Sequence, residues 1–264
     1  MSALTVLASP GGEFRAPTPD ELFNLGPVAG VSWLTKPVLL AILSSIIVII
    51  FCWAAFASPK LVPRGIQNVA EYGYMFVRDQ VARPFLGKDA DRWMGLLLSI
   101  FFLVLVWNLM GVIPVLQFPV ASHIAFPAVL AISIYILKIY LGVRHQGGWG
   151  FFKNMMFPPG LPKPIYLLLA PIEFLSNMII APFTHAVRLF ANMFAGHMLL
   201  AFFSMVGFWF LIEKLTLPGS TIGILGVVMT IILTAFEMFI QFLQAFLFAM
   251  LAAMYIDQGL HAEH

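Results

Sequence analysis

The stretch P-F-T-H-A-V-R-L-F-A-N-M-F-A-G-H, from Pro182 to His197, places Arg188 in the middle of the apolar segment that decides the fold. From Ile165 to Ile212 the only other charged residue is Glu173. An arginine cannot lose its proton at an accessible pH, so at membrane depth it costs several kcal/mol unless a counter-charge or water meets it. We therefore expect Arg188 to be present for function.

The composition around this stretch is that of a membrane protein. Of the 264 residues, 61% are hydrophobic and 10% are charged, which excludes an ordinary soluble domain. The one cysteine, Cys52, lies in an apolar run, so no disulfide framework or cysteine-based metal site is expected.

The apolar segments predict an all-α polytopic membrane protein. We expect three spanning helices, a surface amphipathic helix and a C-terminal hairpin of two long tilted intramembrane helices. At ~1.5 Å per residue each hairpin segment exceeds a perpendicular span, so the first is either tilted or broken near Pro171 or Pro182. The predicted organisation is an extracytoplasmic N-terminal segment (1–31) and a single membrane domain (32–264), with spans at about 37–57, 93–116 and 124–143 and hairpin helices at about 165–212 and 220–256.

Positive charges are concentrated in two loops, residues 58–92 and 144–164. The positive-inside rule assigns both loops to the cytoplasm, with the N-terminus outside and the C-terminus inside. Helical spacing of Ile66, Val69, Gly73, Phe76 and Val77 predicts a helix on the inner membrane surface. Lys138, near the end of the third span, is expected to reach the interface.

Two polar stripes follow the last two apolar segments. At 100° per residue, five polar residues of the first segment fall within one arc of about 100°, and five of the second share one face. The first stripe contains Glu173, Asn177, Thr184, Arg188 and Asn192, and the second contains Thr230, Thr234, Glu237, Gln241 and Gln244. Interhelical hydrogen bonding alone would explain the uncharged members, and a static Arg–Glu pair would explain the charged ones.

A proton-carrying role is the competing explanation for the charged members. A carboxyl group at membrane depth, such as that of Glu237, favours protonation, and an imidazole such as that of His197 can accept and release protons. His197 lies about 180° around the helix from Arg188, so it does not share the arginine face. We expect His197 and Glu237 to act as a pair.

Other kinds of site are not expected. The sequence contains no phosphate-binding loop, no catalytic Ser-His-Asp order and no nucleic-acid patch, so neither a cofactor nor a nucleic-acid partner is predicted. His261 and His264 at the chain end are too few for a metal site.

Four sequence motifs resemble subunit a of the F-type ATP synthase. They are R-L-F-A-N-M-F-A-G-H (Arg188 to His197), L-Q-A-F-L-F-A-M-L (Leu243 to Leu251), N-L-M-G-V-I-P (Asn108 to Pro114) and P-x-x-x-Q-N-x-x-E (Pro63 to Glu71). The resemblance covers most of the chain after a divergent N-terminus.

The resemblance implies a proton-conducting stator subunit of the Fo sector, non-catalytic by itself and located in the bacterial plasma membrane. Its implied partners are protons, the lipid bilayer, a rotating c-ring and peripheral-stalk b subunits. Arg188 would be the essential stator arginine, with Asn192 and Gln244 at the same interface. Two offset half-channels would then serve the ring, the outer one through His197, Glu237, Asn192, Gln241 and Gln244 and the inner one through Glu173 and Asn177.

Two departures from the family pattern are informative. Many members have Glu where this chain has His197, and His where it has Glu237, so the exchange keeps one acid with one imidazole. The spacing from Glu173 to Pro182 is one residue longer than the pattern. A standalone secondary transporter or ion channel is the alternative, although the absence of internal repeats weakens it. A structural scaffold would not need Arg188.

Overall fold

The computed structural model describes residues 14–23, 34–57, 60, 62–113, 116–157, 163–213 and 216–261. Pro114, Lys214, His264 and most of the 1–31 segment lie outside these residues. The helices are α1 (Pro19–Phe23), α2 (Lys36–Phe56), α3 (Ile66–Val77), α4 (Arg83–Leu86), α5 (Ala90–Leu109), α6 (Ala125–Gln146), α7 (Gly148–Met156), α8 (Lys163–Leu175), α9 (Ala181–Phe208) and α10 (Leu217–Leu260).

Five helical runs in the described part of the chain are long and apolar enough to cross a membrane, which confirms the polytopic all-α prediction. They are Lys36–Phe56, Ile66–Leu109, Ala125–Gln146, Ile165–Ile212 and Pro218–Leu260. The first, third and last of these differ from the predicted bounds by a few residues at each end. Single-sequence patterns seldom fix helix ends better than this.

The second predicted span, 93–116, is shorter than expected because α5 ends at Leu109. The chain turns there, with Gly111 N–H donating to the Asn108 carbonyl at 2.9 Å. A Cβ on Gly111 would lie 2.9 Å from Cβ of Pro119, so a glycine is required where the two segments meet. The apolar run continues through this turn, and hydropathy alone therefore extended the helix.

The predicted amphipathic helix is α3, and a π-turn (Arg78–Ala82), α4 and a 3₁₀ turn (Gly87–Asp89) join it to α5. It packs against α5, since a Cβ on Gly73 would lie 2.6 Å from Cζ of Phe102. Val77 is fully buried, whereas Ile66 and Val69 are exposed. That α3 lies on the inner membrane surface stays a prediction.

The first hairpin segment is one helical run and is not divided into two spans. Pro171 lies inside α8 without ending it, and a π-turn (Ser176–Ile180) joins α8 to α9. A second π-turn (Trp209–Glu213) follows α9. The last helix, α10, has 44 residues and begins three residues before the predicted start at residue 220. The tilt of both helices stays a prediction.

The chain forms two compact units. Unit 1 comprises Met1–Ile42, Trp107–His123 and Ala191–Phe242, and unit 2 comprises Leu43–Val106, Ile124–Phe190 and Leu243–His264. In unit 1, α9 and α10 meet through glycines, because a Cβ on Gly226 would lie 2.6 Å from the backbone nitrogen of Gly207. In unit 2, the end of α10 lies directly on α6, where a Cβ on Gly259 would be 2.9 Å from the Lys138 carbonyl oxygen.

A capping box fixes the start of α1 in unit 1. Glu21 accepts the backbone N–H of Thr18 at 3.1 Å, and this bond lowers the pKa of the Glu21 carboxyl. The helix delivers Phe23 to α9, where its ring stacks on Phe194 with centroids 4.7 Å apart. The described part of the N-terminal segment is therefore packed against membrane helix α9.

Candidate functional site

Arg188 is exposed on α9, whereas its neighbour Leu189 is fully buried. Among the described residues of unit 2, no carboxylate lies within 4 Å of its guanidinium, Glu173 included. The charge of Arg188 is therefore exposed, and no described carboxylate of unit 2 neutralises it.

His185, one turn before Arg188, is a buried polar residue that is not among the predicted stripe residues. Its ring lies against Phe248, with centroids 3.8 Å apart, and 5.9 Å from the ring of Tyr255. Neither ring nitrogen has a hydrogen-bond partner among the described residues. The sequence T-H-A-V-R shows a polar residue, His185, close to Arg188, but it does not show that this residue is buried.

In unit 1, Glu237 and Gln241 form a buried polar cluster with Asn108. Gln241 Nε2 donates to Glu237 Oε1 at 3.4 Å, and Asn108 Nδ2 donates to the Gln241 carbonyl oxygen at 3.3 Å. The second oxygen of Glu237 and the side-chain oxygens of Gln241 and Asn108 are buried without a partner among the described residues. Such oxygens accept hydrogen bonds from water or from a protonated carboxyl. Asn108 was quoted only as part of a motif and not as a site residue.

Gly196 lets the carboxyl of Glu237 approach the backbone of α9. A Cβ at this position would lie 3.3 Å from both Cδ and Oε1 of Glu237. His197, the next residue, has its ring centroid 5.7 Å from that of Phe23. Within the described part of unit 1, no direct hydrogen bond or ion pair joins His197 to Glu237. Their paired role stays a prediction, and it requires an intervening proton carrier.

The remaining members of the two stripes differ in their surroundings. Thr230 and Thr234 donate their hydroxyls to carbonyls of their own helix, Gly226 and Thr230, at 2.8 and 2.7 Å. Their polarity is thus satisfied within α10, as is common for threonine in apolar helices. Asn192 is half-buried, and Gln244 is buried.

Glu173 and Asn177 lie together in unit 2. Asn177 Nδ2 donates to the carboxylate of Glu173 at 2.9 Å, and the Tyr135 hydroxyl donates to the Asn177 carbonyl. Asn177 belongs to the π-turn, which holds one residue more than an α-helical turn and so displaces α8 by about 100° around the axis. The predicted single stripe from Glu173 to Arg188 is therefore interrupted at this turn.

The two residues line a cavity of about 120 Å³. Lys138 lines it as well, buried, with its ammonium 5.0 Å from the ring of Tyr255 and 5.4 Å from that of Tyr135. The expectation that Lys138 reaches the membrane interface was wrong, because the cavity and the two rings provide a polar and cation-binding environment inside the protein. The described residues contain no group of three side chains that could hold a metal ion.

Comparison with known proteins identifies a family that matches most of the chain. A model of the family described as ATP synthase A chain matches residues 38–257. The ATP synthase subunit a of Streptomyces lividans is 48% identical over 88% of this chain and 81% of its own length. Those of Frankia alni and Rhodococcus erythropolis are 42% and 39% identical, each over 98% of this chain, and over 90% and 95% of their own lengths.

The family match begins in the first spanning helix, α2, ends in α10, and includes residues of both units. It covers Arg188, the buried cluster around Glu237, and Glu173 with Asn177. A buried acid, a fixed arginine and apolar helices long enough to span a membrane are also what a proton-conducting membrane subunit requires. The chain therefore belongs to the ATP synthase A chain family, the subunit a of ATP synthases.

Proposed function

We propose that Arg188 is the fixed charge past which the carboxyl groups of a rotating c-ring move. The observation that carries this proposal is the exposed guanidinium on a helix that has no other Arg, Lys, Asp or Glu. A charge exposed at membrane depth is costly unless a partner outside the chain or water meets it. A carboxylate on a neighbouring subunit is the partner whose charge fits.

The electrostatics of such an encounter would couple proton transfer to rotation. Two opposite charges 4 Å apart attract by about 4 kcal/mol at an effective dielectric constant near 20. This attraction favours the ionised carboxylate beside Arg188 and disfavours the protonated form. A ring carboxyl would then have to release its proton before it passes and take up another afterwards.

As a subunit a, the chain is a membrane component of an ATP synthase. The standalone transporter or channel is not favoured. We infer that it does not itself hydrolyse or make ATP, and that its contacts in the Fo sector are the c-ring and the peripheral-stalk b subunits. Conduction of protons is its contribution to ATP synthesis.

The outer half-channel, in this proposal, is the cluster of unit 1. Glu237 and Gln241 are buried in an apolar helix, and each has an oxygen without a described partner. Water entering beside His197 and Asn192 would connect these groups with the outer solution. Gln244, which is buried in unit 2, remains a predicted member of the outer path.

The inner half-channel is the cavity of unit 2. Glu173, bonded to Asn177, lines it together with Lys138. The cavity also includes Gln146 and Asn154, which belong to the loop region that the positive-inside rule assigns to the cytoplasm. We place the N-terminus outside and the C-terminus in the cytoplasm of a bacterial cell.

Replacement of Arg188 by Ala tests the proposal. We expect the Arg188→Ala complex to assemble and to lose both ATP-driven proton pumping and ATP synthesis, because no other charge on this face discriminates between the carboxyl states. Pumping is measured in inside-out vesicles, with subunit content checked by immunoblot.

Thr184 supplies the matched control, since it is exposed one turn before Arg188 on the same helix. The Thr184→Ala complex should pump at the wild-type rate. Wild-type pumping by Arg188→Ala would refute the stator role, whereas equal loss in both variants would indicate damage to α9.

A further inference from the structure

The cavity of unit 2 has an imidazole at its edge that the proposed function does not use. His261 lines the cavity together with Glu173 and Lys138, and its side chain is 59% exposed. One water needs roughly 10–15 Å³ of such space, so about 120 Å³ holds several waters. The His261 side chain can therefore contact both water in the cavity and the surrounding solution.

Two carboxylates orient the ring of His261. Its Nδ1 lies 2.9 Å from Oδ1 of Asp257, and its Nε2 lies 3.9 Å from Oδ2 of Asp89. A carboxylate only accepts hydrogen bonds, so Nδ1 carries the hydrogen and Nε2 of the neutral ring keeps its lone pair. Nε2 is therefore the ring nitrogen that can accept a further proton.

The backbone around His261 is held in place by Gln146. Gln146 Nε2 lies 2.9, 3.3 and 3.1 Å from the carbonyl oxygens of Gln258, Gly259 and His261. These bonds tie the end of α10 to the end of α6. The position of the imidazole is thus set by main-chain contacts that a change of its side chain leaves intact.

We propose that His261 is the proton-collecting group at the cytoplasmic mouth of this cavity, with Asp257 and Asp89 as its positioning residues. The inference rests on the proposed inner route through Glu173. In ATP-driven pumping, Nε2 takes a proton from the solution and passes it through cavity water to Glu173. Lys138 lines the same cavity.

Such a group is needed because free protons are scarce on the cytoplasmic side. Free protons reach a single acceptor at a rate proportional to their concentration, so direct delivery from the solution slows about tenfold for each pH unit toward the alkaline side. Enzymes commonly turn over at up to about 10³ per second. A solvent-exposed imidazole that exchanges protons with buffer molecules removes this limit.

The test is ATP-driven pumping by the complete complex in inside-out vesicles, whose cytoplasmic face meets the medium. In weakly buffered medium on the alkaline side of neutrality, His261→Gln should pump several-fold more slowly than wild type. Added imidazole should restore its rate in a saturable manner and leave the wild-type rate unchanged. Asp257→Asn should show a smaller defect with the same rescue.

His145→Gln is the matched control, because His145 is exposed at the end of α6 and does not line the cavity. It should behave as wild type at every imidazole concentration. A wild-type rate for His261→Gln, or a defect that imidazole does not relieve, would overturn the inference. The second outcome would identify a purely structural contact.

The Glu173→Gln variant tests the inner route through Glu173 separately from the proton-collecting role of His261. A slow Glu173→Gln complex that imidazole does not rescue supports the inner route, and a normal His261→Gln complex then defeats only the proton-collecting role. Wild-type pumping by Glu173→Gln would remove the inner route itself.

Discussion

At the scale of single residues, the question is whether Glu237 and His197 act as one proton relay. They belong to the same unit, with Gly196 directly against the Glu237 carboxyl, and no direct bond joins the two side chains in its described part. If they act as one relay through an intervening carrier, removing either should break the same path. His197→Ala and Glu237→Ala should therefore each lower proton flux, and the double variant should be little slower than either.

The measurement is proton flux through vesicles that contain equal amounts of each complex. Thr234→Ala is a suitable control on α10, because the Thr234 hydroxyl is bonded within its own helix. Losses in log flux that add fully in the double variant would assign His197 and Glu237 to separate steps.

The sequence identified most polar residues of the site but not their surroundings. Arg188, Glu237 and Gln241 stand out because a polar side chain in an apolar segment is costly wherever it lies. The roles of Asn108, Gly196 and Lys138 depend on which helices pack against each other, and spacing within one helix does not determine that. Asn108 carried a usable signal, since it is an amide at the end of an uncharged span.

At the scale of helices, the contact between α9 and α10 in unit 1 depends on two glycines. The backbone nitrogen of Gly207 would lie 2.6 Å from a Cβ on Gly226. Gly226→Ala should therefore force the helices apart and destabilise the protein by about 1–3 kcal/mol, as overpacking does in other cores. The effect is measured by heating the purified complex and recording the temperature at which this subunit unfolds and is released.

Gly95→Ala serves as its control, because a Cβ on Gly95 meets nothing within 4 Å. Alanine favours a helix over glycine by up to about 1 kcal/mol, so this variant should be at least as stable as wild type. Equal thermal stability of Gly226→Ala and Gly95→Ala would contradict a close helix crossing.

The sequence predicted that the long apolar segments are helical, but it did not predict where a helix continues without a break. Long uncharged segments require α-helix in a membrane, since backbone groups must be satisfied internally. Pro171 and Pro182 suggested a break, yet the chain continues through both. The irregularity lies between them, at Ser176–Ile180, where no glycine or proline marks it.

For the whole molecule, the testable property is its orientation across the membrane. The charge distribution predicts that cysteines introduced by Lys88→Cys and Lys153→Cys react with a membrane-impermeant thiol reagent only from the cytoplasmic side. A cysteine from Lys214→Cys should react only from outside. Each substitution is made in a Cys52→Ala protein, because the half-buried native thiol of α2 would otherwise add background labelling.

Labelling of the Lys153→Cys protein from outside would reverse the proposed topology. Such a reversal would also place the His261 cavity on the wrong side of the membrane for collecting cytoplasmic protons. Intact cells and inside-out vesicles labelled in parallel distinguish the two orientations.

The π-turn at Ser176–Ile180 also decides how this chain should be aligned with its relatives. A π-turn accommodates one inserted residue while the helix on either side stays regular. We therefore expect the extra residue between Glu173 and Pro182 to be an insertion at this turn. An alignment of relatives that opens a gap there should keep both Glu173 and Arg188 in register with the family pattern, and a better gapless alignment would contradict this expectation.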